Sequence, residues 1–388
     1  MADPKWADDR FLDELRGQAD VPADRAVGKL VEEHGLQQVD YIFRNLRSDD
    51  QPLLESAPKV LRDFIHQTGE LPPDIDRPRL DRASEVFLRH ALTGCLVMLA
   101  SSLPSGYSAP RLTHILMISR DLAKDPFKRL MGVVQLLVNV TSPNAFAPGG
   151  LAVVTAQKLR LLHAGVRTIV PHYRHHYAQQ FGIPVNHEDM LATLMGFSYL
   201  VIDGLGKLDL GLTDEEAEDY YYLWRVYALL MGIHPEGAPL DDSLIPATVD
   251  DAASFYASYT RRWFTGPEEN PSGVVLTQDN LDMMVSLLPA PLRHTQIRLA
   301  PQLAMAELLG PEEMARVGVQ PVHGHEILYK AFCLALATEQ KVADVAPCHF
   351  IETLSRHLFE RMIDTSRGGP VQFIVPGSVK DLRSTDLV

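Results

Sequence analysis

The chain has 388 residues, 46% of them apolar, and its 50 acidic and 36 basic residues give a formal net charge of −14. A chain of this size and composition can bury a large hydrophobic core. The negative charge would repel nucleic acid and anionic membranes over most of the surface, so nucleic acid is not expected as a partner.

Cysteine usage and the N-terminus both bear on the cellular compartment. Cys95, Cys333 and Cys348 form no C-x-x-C pair, and an odd number of cysteines fits a reducing environment in which they are small core residues. The first residues contain neither a basic region followed by an apolar run nor a twin arginine. We therefore expect a cytoplasmic protein.

Apolar stretches are long enough for buried helices but not for membrane spans. The longest, 91–103 and 130–140, fall short of the roughly 20 residues that a membrane-spanning helix needs. No membrane span is predicted.

The N-terminal half is predicted to form a series of helices. Residues 1–50 are helix-prone, with Asp20 and Pro22 opening a first apolar-periodic run, and the prolines within 71–78 predict an extended connector. Three helical runs follow between 80 and 140, separated at 103–110 and more weakly near Asp125. A loop over 141–150 precedes the next helix, which Pro171 is predicted to end or kink, unless it opens a helix over 172–181.

The C-terminal half continues the helical pattern. Asn186 is a predicted N-cap for a helix over 190–205 that Gly204 and Gly206 end, and Thr213 with Glu216 forms a predicted capping box. Five further helices are predicted, followed by one short strand-like run; these are 250–264, 281–288, 299–309, 312–317, 327–336 and the run 371–376. Because period-2 alternation is almost absent, the predicted fold is all-α, in one large globular unit.

Several common catalytic motifs are missing. No G-x-x-x-x-G-K-[ST], G-x-G-x-x-G, H-E-x-x-H or G-x-S-x-G occurs, nor do two E-x-x-H pairs. Nucleotide binding by the common folds, zincin chemistry, serine hydrolysis and a ferritin-like di-iron site are therefore not indicated.

Residues 158–167 form the most informative stretch of the sequence. At roughly 100° per residue, a helix places Arg160, His163 and Arg167 on one narrow face, where two guanidiniums bracket one imidazole among leucines. One neutral ligand with two cations suits an anionic metallocofactor such as haem, whose iron needs an imidazole and whose propionates need cations. The alternatives are a satisfied core histidine and arginines that pair with acids of the chain.

Other histidines have plainer interpretations. His172, His175 and His176 fit a solvated helix surface, although positions one turn apart could chelate zinc if a third ligand were present. His323 and His325 fit a loop with a helix cap, with a metal or acid-base role as the alternative.

A set of motifs in fixed order makes the chain similar to a known family. In chain order they are Leu103-Pro104-x-x-Tyr107-x-x-Pro110, Lys128-Arg129-Leu130, Ala147-Pro148-Gly149-Gly150, Arg160-x-x-His163-x-x-x-Arg167, Gly182-Ile183-Pro184-Val185-Asn186 with Asp189, and Leu223-Trp224-Arg225 with Met231-Gly232-Ile233. With this order the sequence resembles the rubber oxygenase (latex clearing protein) family, which includes the MpaB-type oxygenases of fungal biosynthesis.

The resemblance implies an all-α fold with a globin-like helix core around b-type haem. It implies that His163 is the iron ligand, that Arg160 and Arg167 lie near the cofactor, and that Arg129 lies on the helix above it. The family-like core covers about 80–260, with a helical extension over 1–79, further helices over 261–367 and a loose tail over 368–388. In characterised relatives the haem activates dioxygen to cleave a carbon-carbon double bond in an isoprenoid.

The sequence departs from the rubber-cleaving members on the side opposite His163. Those members carry a Lys-Thr pair where this chain has Gly132 and Val133, and their acidic base has no counterpart near Arg111, Leu112 and Thr113. Since glycine has no side chain to occupy the sixth iron position, the distal side is expected to be open to water or small ligands.

The function expected from the sequence is therefore a cytoplasmic haem-b oxygenase acting on a small apolar molecule, with Arg129 as a catalytic candidate. Peroxidase or peroxygenase chemistry on the same haem is one alternative. A non-catalytic haem carrier or sensor is another, and a helical scaffold without a cofactor is the last.

Overall fold

A computed structural model describes residues 2–39, 57–123, 126–173, 176–239, 241–288 and 291–322 of the chain, with the backbone alone described at 118–123, 126–131, 134 and 173. The expected loose tail, the helix predicted over 327–336, the strand-like run 371–376, Cys333, Cys348, His323 and His325 lie outside these residues, as does His175.

Helices account for the regular structure of the described residues. They are α1 (Asp9–Arg16), α2 (Val21–His34), α3 (Lys59–Gln67), α4 (Arg77–Arg89), α5 (Ala91–Val97), a π-helical turn (Met98–Ser102), α6 (Leu103–Gly106), α7 (Pro110–Ala123), α8 (Pro126–Thr141), α9 (Leu151–Tyr173), α10 (Tyr177–Phe181), α11 (His187–Phe197), α12 (Tyr199–Lys207), α13 (Asp214–Leu230), α14 (Val249–Trp263), α15 (Pro271–Leu287) and α16 (Ala300–Arg316). Short 3₁₀ turns occur at Pro4–Ala7, Leu292–His294 and Gln296–Leu299. The predicted all-α fold is confirmed.

The largest buried cluster is built around α13, which packs along α4 and contacts α9, α11 and α14. Its largest fully buried side chains are aromatic, and Trp6 reaches this cluster from the N-terminal 3₁₀ turn. Large aromatic side chains supply much of the apolar area that a core removes from water. The N-terminal segment is therefore part of the main core.

A second buried cluster lies between α2, α3 and one side of α9. Val27 and Leu30 of α2 and Phe64 of α3 pack there against Leu161 and Ile169 of α9. Helix α9 thus contacts both clusters, and its opposite faces are covered by different parts of the chain.

Helix starts follow the predicted capping residues. Asp20 accepts a hydrogen bond from the Ala23 amide at the start of α2, Asn186 accepts one from the Asp189 amide at the start of α11, and Thr213 with Glu216 forms a capping box on α13. Side-chain caps satisfy amides that a helix leaves without partners.

Helix ends differ more from the predictions. Gly204 and Gly206 were predicted to end the helix but lie inside α12, and the break falls at Ser198 between α11 and α12. The predicted gap over 103–110 is mostly filled, because α6 continues directly from the π-helical turn with Pro104 in its first turn. Pro171 lies inside α9, two residues before its end. Tertiary packing decides these points rather than local propensity.

No single helix among the described residues is long and apolar enough to cross a membrane. One adjoining pair, Arg77–Arg89 with Ala91–Gly106, passes the same test of length and composition together, with a bend of 80° between its two parts.

Candidate functional site

Helix α9 carries the three residues that the sequence singled out. It follows the loop over 141–150, runs through both buried clusters, and presents Arg160, His163 and Arg167 away from bulk solvent. The arginines are 4% and 8% exposed, while His163 is half-buried because its ring faces an internal cavity.

The cavity has a volume of about 420 Å³ and walls that are mostly aliphatic and aromatic. Helices α6 to α14 and the π-helical turn contribute to it. The lining includes the side chains of Ser102, Arg111, Val133, His163, Tyr177, Asp189, Tyr227, Tyr256 and Tyr259, and at Gly106, Gly132 and Gly196 the wall has no side chain. This volume is within the range of about 300 to 1,000 Å³ typical of small-molecule sites.

His163 is a neutral imidazole in this wall. Burial, with a smaller contribution from the Arg167 charge, lowers its pKa to about 4. Its Nδ1 is buried with no hydrogen-bond partner among the described residues. The neutral form is the one that binds a metal, so His163 is suited to ligation at pH 7.

Gly132 and Val133, where the resemblance implies a Lys-Thr pair in rubber-cleaving members, line the same cavity as His163. Gly132 and Val133 both lie on α8, and Leu136 continues this wall one turn further on. The structure thus brings the two sides expected from the resemblance together around one space. Arg129 lies on α8 as well, but its side chain is outside the described residues.

Arg160 forms a buried ion pair with Asp20 at the start of α2. Its Nε and Nη2 donate to the two carboxylate oxygens at 2.6 and 2.9 Å, and its Nη1 donates to the Leu230 carbonyl at 3.3 Å. Burial raises the pKa of Asp20, but the charge and hydrogen bonds of Arg160, the Arg167 charge and the Ala23 amide together outweigh burial and hold that pKa below its ordinary value. All three nitrogens of this guanidinium are therefore engaged.

Arg167 pairs with a second acid of α2. Its Nε donates to Asp24 at 2.7 Å and its Nη1 to the Val185 carbonyl at 3.1 Å, whereas Nη2 is buried without a hydrogen-bond partner among the described residues. Arg167 and Asp24 line a second, more open cleft of about 490 Å³. The alternative raised by the spacing, arginines that pair with acids of the chain, is what the structure shows for both.

One part of the cavity wall is a buried charged network. Arg111 lies 3.2 Å from Asp189 and 3.5 Å from Glu188, and its guanidinium stacks over Trp263 at 4.3 Å. Tyr259 donates to Asp189 at 2.9 Å. Burial raises the pKa of Asp189 and of Glu188, although the neighbouring arginines oppose the shift.

Sequence reasoning assigned no site role to this network. In the sequence, Asp189 is identified only as part of a family-like motif. Arg111 is named only because the resemblance implies an acid in that region of rubber-cleaving members. The available signal was the Glu188-Asp189 pair at the start of an otherwise apolar helix, but its arginine partner is 78 or 77 positions away in the chain and could not be identified from spacing.

No group of three or more His, Cys, Asp or Glu side chains in the described ranges is arranged to hold a metal ion. His172 is exposed, and its Nδ1 lies 2.9 Å from the Thr168 carbonyl. Cys95 is a buried thiol whose pKa burial raises, as expected for a core residue.

Comparisons with known proteins identify relatives of the chain. Residues 88–338 match the family described as "ER-bound oxygenase mpaB/B'/Rubber oxygenase, catalytic domain". The rubber oxygenase of Streptomyces sp. (strain K30) is 27% identical over 237 residues, which are 60% of this chain and 56% of that protein. The chain therefore spans little more than half the length of this relative.

A solved structure of latex clearing protein LCP in the closed state superposes with a TM-score of 0.68 over 90% of each chain, at 21% identity. At this identity the likeness establishes the shared fold. The family match covers well over half of the chain and includes the cavity residues from Met98 to Phe264. The chain belongs to the family of mpaB/B' and rubber oxygenase catalytic domains.

Proposed function

We propose that the protein is a haem-b-dependent oxygenase that acts on a small apolar molecule. The observation that carries the proposal is a neutral imidazole, His163, in the wall of a mostly apolar cavity. Family membership supports the oxygenase class. Oxidative cleavage of a carbon-carbon double bond is the chemistry that the family implies.

The residues present fit a haem better than a metal ion held by protein alone. A porphyrin supplies four ligands to its iron, so one histidine suffices, and His163 has no competing hydrogen bond at Nδ1 among the described residues. Gly132 lies in the cavity wall and has no side chain that could bind the iron of such a cofactor. The aliphatic walls would shield the bond to His163 from water.

The two arginines have different parts in this proposal. Each nitrogen of Arg160 already donates a hydrogen bond within the protein, so we assign Arg160 the positioning of α9 through Asp20. Arg167 lines the second cleft and not the wall that contains His163, but its Nη2 makes no hydrogen bond within the described chain, so we keep the propionate contact as its proposed role. Arg129 keeps its proposed role toward the bound oxidant.

A bound haem would supply the activation of dioxygen. Cleavage of a double bond to two carbonyl groups takes both oxygen atoms from one dioxygen, so no additional reductant is required. The chain contributes an apolar space that orients the hydrocarbon and excludes water, with polar groups restricted to a few places in the wall.

Turnover tests the proposal. Short unsaturated isoprenoids are supplied to the haem-loaded chain, with oxygen uptake followed at an electrode and carbonyl products by mass spectrometry. We expect one dioxygen per cleaved bond, no reaction of the saturated counterparts, and loss of reaction in His163→Ala. Turnover with hydrogen peroxide but none with dioxygen would instead indicate a peroxygenase.

A non-catalytic haem sensor is the second candidate, and the observation in its favour is the replacement of the Lys-Thr pair by Gly132 and Val133 in the cavity wall. A sensor would bind haem and small ligands without product formation. Partner binding that changes with the haem ligand would support it.

A further inference from the structure

The π-helical turn Met98–Ser102 lies in the cavity wall, where Met98 and Ser102 line the space. The wider turn shifts one backbone hydrogen bond, so the Met98 carbonyl accepts from the amide of Leu103, five residues on. Asn280 of α15 donates to the Leu99 carbonyl at 2.6 Å and supports the turn from behind. Single π-helical turns inside α-helices are frequent at functional sites.

Ser102 has a hydroxyl without a partner. Buried hydroxyls in helices usually donate to the carbonyl four residues back, as Ser84 does to Leu80 at 3.1 Å and Ser198 to Leu194 at 2.8 Å. The Ser102 side chain is 5% exposed, and its Oγ makes no hydrogen bond within the described chain. A buried polar atom without a partner costs free energy unless a ligand or water satisfies it.

Four other hydroxyls of the wall form hydrogen bonds within the protein. Tyr259 donates to Asp189, Tyr177 donates to the Arg111 carbonyl, and Tyr256 shares a hydrogen bond with Ser105. Thr193 donates to the backbone of Asp189. Ser102 is therefore available to a ligand in a way that these groups are not.

The facing helix carries a glycine beside Ser102. Gly196 also lines the cavity, and a Cβ there would lie in van der Waals contact with the Ser102 Cβ, at 3.6 Å. Helix α11 therefore presents no side chain at Gly196, the position next to Ser102.

We propose that Ser102 is a specificity-determining residue whose hydroxyl forms a hydrogen bond with the oxygen atom of an alcohol or ketone bound in this cavity. The ligand class is then a hydrocarbon with one neutral oxygen function, rather than a pure hydrocarbon. This deepens the proposed function, and it rests on that function only in taking the cavity as the substrate site.

Binding of three probes tests the assignment. Octane, 1-octanol and 2-octanone differ in one oxygen function. Their binding to the full chain is measured by equilibrium headspace gas chromatography, with haem bound if the chain takes it up. In Ser102→Ala we expect about 3- to 10-fold weaker binding of octanol and octanone, the value of one hydrogen bond, with octane unchanged.

Ser108→Ala is the matched control, because Ser108 is 0% exposed, also has an Oγ without a hydrogen bond among the described residues, and is not part of the described cavity wall. It should leave all three affinities unchanged. Ser102→Cys keeps the volume with a weak donor and should resemble Ser102→Ala, which covers the case in which the alanine variant does not fold.

Equal weakening of all three probes would show a packing role for Ser102 and would overturn the proposal. So would identical behaviour of Ser102→Ala and Ser108→Ala, or failure of the alcohol and ketone to bind the unmodified chain. Because the readout is binding and not turnover, these outcomes leave the oxygenase proposal to be decided by its own experiment.

Discussion

Asp20 is the residue through which the N-terminal segment reaches the helix that carries His163. It caps α2 at the Ala23 amide and receives two hydrogen bonds from Arg160, three positions before His163. A buried ion pair contributes little net stability relative to an apolar pair, but removal of one partner leaves the other charge unpaired. This asymmetry makes the pair a sensitive point of the site.

Arg160→Met should destabilise the fold by about 3 to 5 kcal/mol, because Asp20 would remain buried without its counter-charge. Urea unfolding followed by circular dichroism measures the change. The matched control is Arg25→Met, which removes a guanidinium from an ion pair with Glu236 whose side chains are 68% and 62% exposed. That loss should stay below about 1 kcal/mol, and equal effects of the two substitutions would contradict the argument.

Acid should weaken the same contact. The pKa of Asp20 lies below its ordinary value in the folded chain. Its ionisation therefore stabilises the fold above the unfolded pKa of about 4, and this contribution is lost as the pH falls through the folded value. Asp20→Asn keeps the capping oxygen but not the charge.

We expect the difference in unfolding free energy between the unmodified chain and Asp20→Asn to be largest near neutral pH and to shrink below about pH 4. Urea titrations over a pH series measure it. A difference that stays constant down to about pH 2 would mean that Asp20 acts through packing and not through its charge.

Gly232 makes the close approach around this ion pair possible. Its φ is +82°, and a Cβ there would lie 2.8 Å from the Asp20 Cγ and 3.0 Å from the Arg160 Nε. Gly237 has a similar φ of +78° with nothing within 4 Å of its Cβ position. Alanine at Gly237 would therefore introduce backbone strain alone, whereas alanine at Gly232 would introduce backbone strain and steric overlap.

Gly237→Ala should lower the free energy of unfolding by about 1 to 2 kcal/mol, which is the cost of holding a residue with a Cβ in the left-handed conformation. Gly232→Ala should cost about 1 to 3 kcal/mol more, because the methyl group also displaces the ion pair. Thermal unfolding of both variants gives the comparison. Similar losses would indicate that the chain around Gly232 adjusts without strain.

Among the helices, α2 covers α9, while the N-terminal 3₁₀ turn and α1 pack into the main core. Trp6, Leu12 and Leu15 enter the main core, whereas Val27 and Leu30 enter the second cluster and two acids pair with α9. These residues precede the family match, which begins at residue 88. In this chain, residues of α2 that lie outside the family match therefore hold the helix that carries His163.

Deletion of residues 1–39 should abolish the native fold, because it exposes both clusters and leaves two buried guanidiniums without counter-charges. Near-ultraviolet circular dichroism and elution volume report the loss. Deletion of 368–388, which the sequence predicts to be a loose tail, is the control and should be tolerated. A folded chain without residues 1–39 would show that the cover is dispensable.

Prediction from sequence succeeded where the cause is local. The caps at Asp20, Asn186 and Thr213 are short-range hydrogen bonds, so they were visible in the spacing of residues. The break at Ser198 and the π-helical turn depend on packing against other helices, and no local pattern indicated them. For the same reason the partners of Arg160 and Arg167, about 140 positions away, could not be identified.

At the scale of the whole molecule, the described helices form a cavity. Its wall contains His163 of α9 together with Gly132 and Val133 of α8. The family match, the all-α fold and the neutral imidazole support one account, in which the chain holds a haem through α9. Cytoplasmic location and the propionate role of Arg167 stay predictions within that account.

The visible absorption spectrum of the full chain with one equivalent of hemin tests the central claim most directly. His187→Gln is the control, because burial also lowers the pKa of His187 to about 4, yet its side chain is not part of the described cavity wall. The account predicts a Soret band for the unmodified chain and for His187→Gln, and its loss in His163→Ala. An unchanged Soret band in His163→Ala would contradict it.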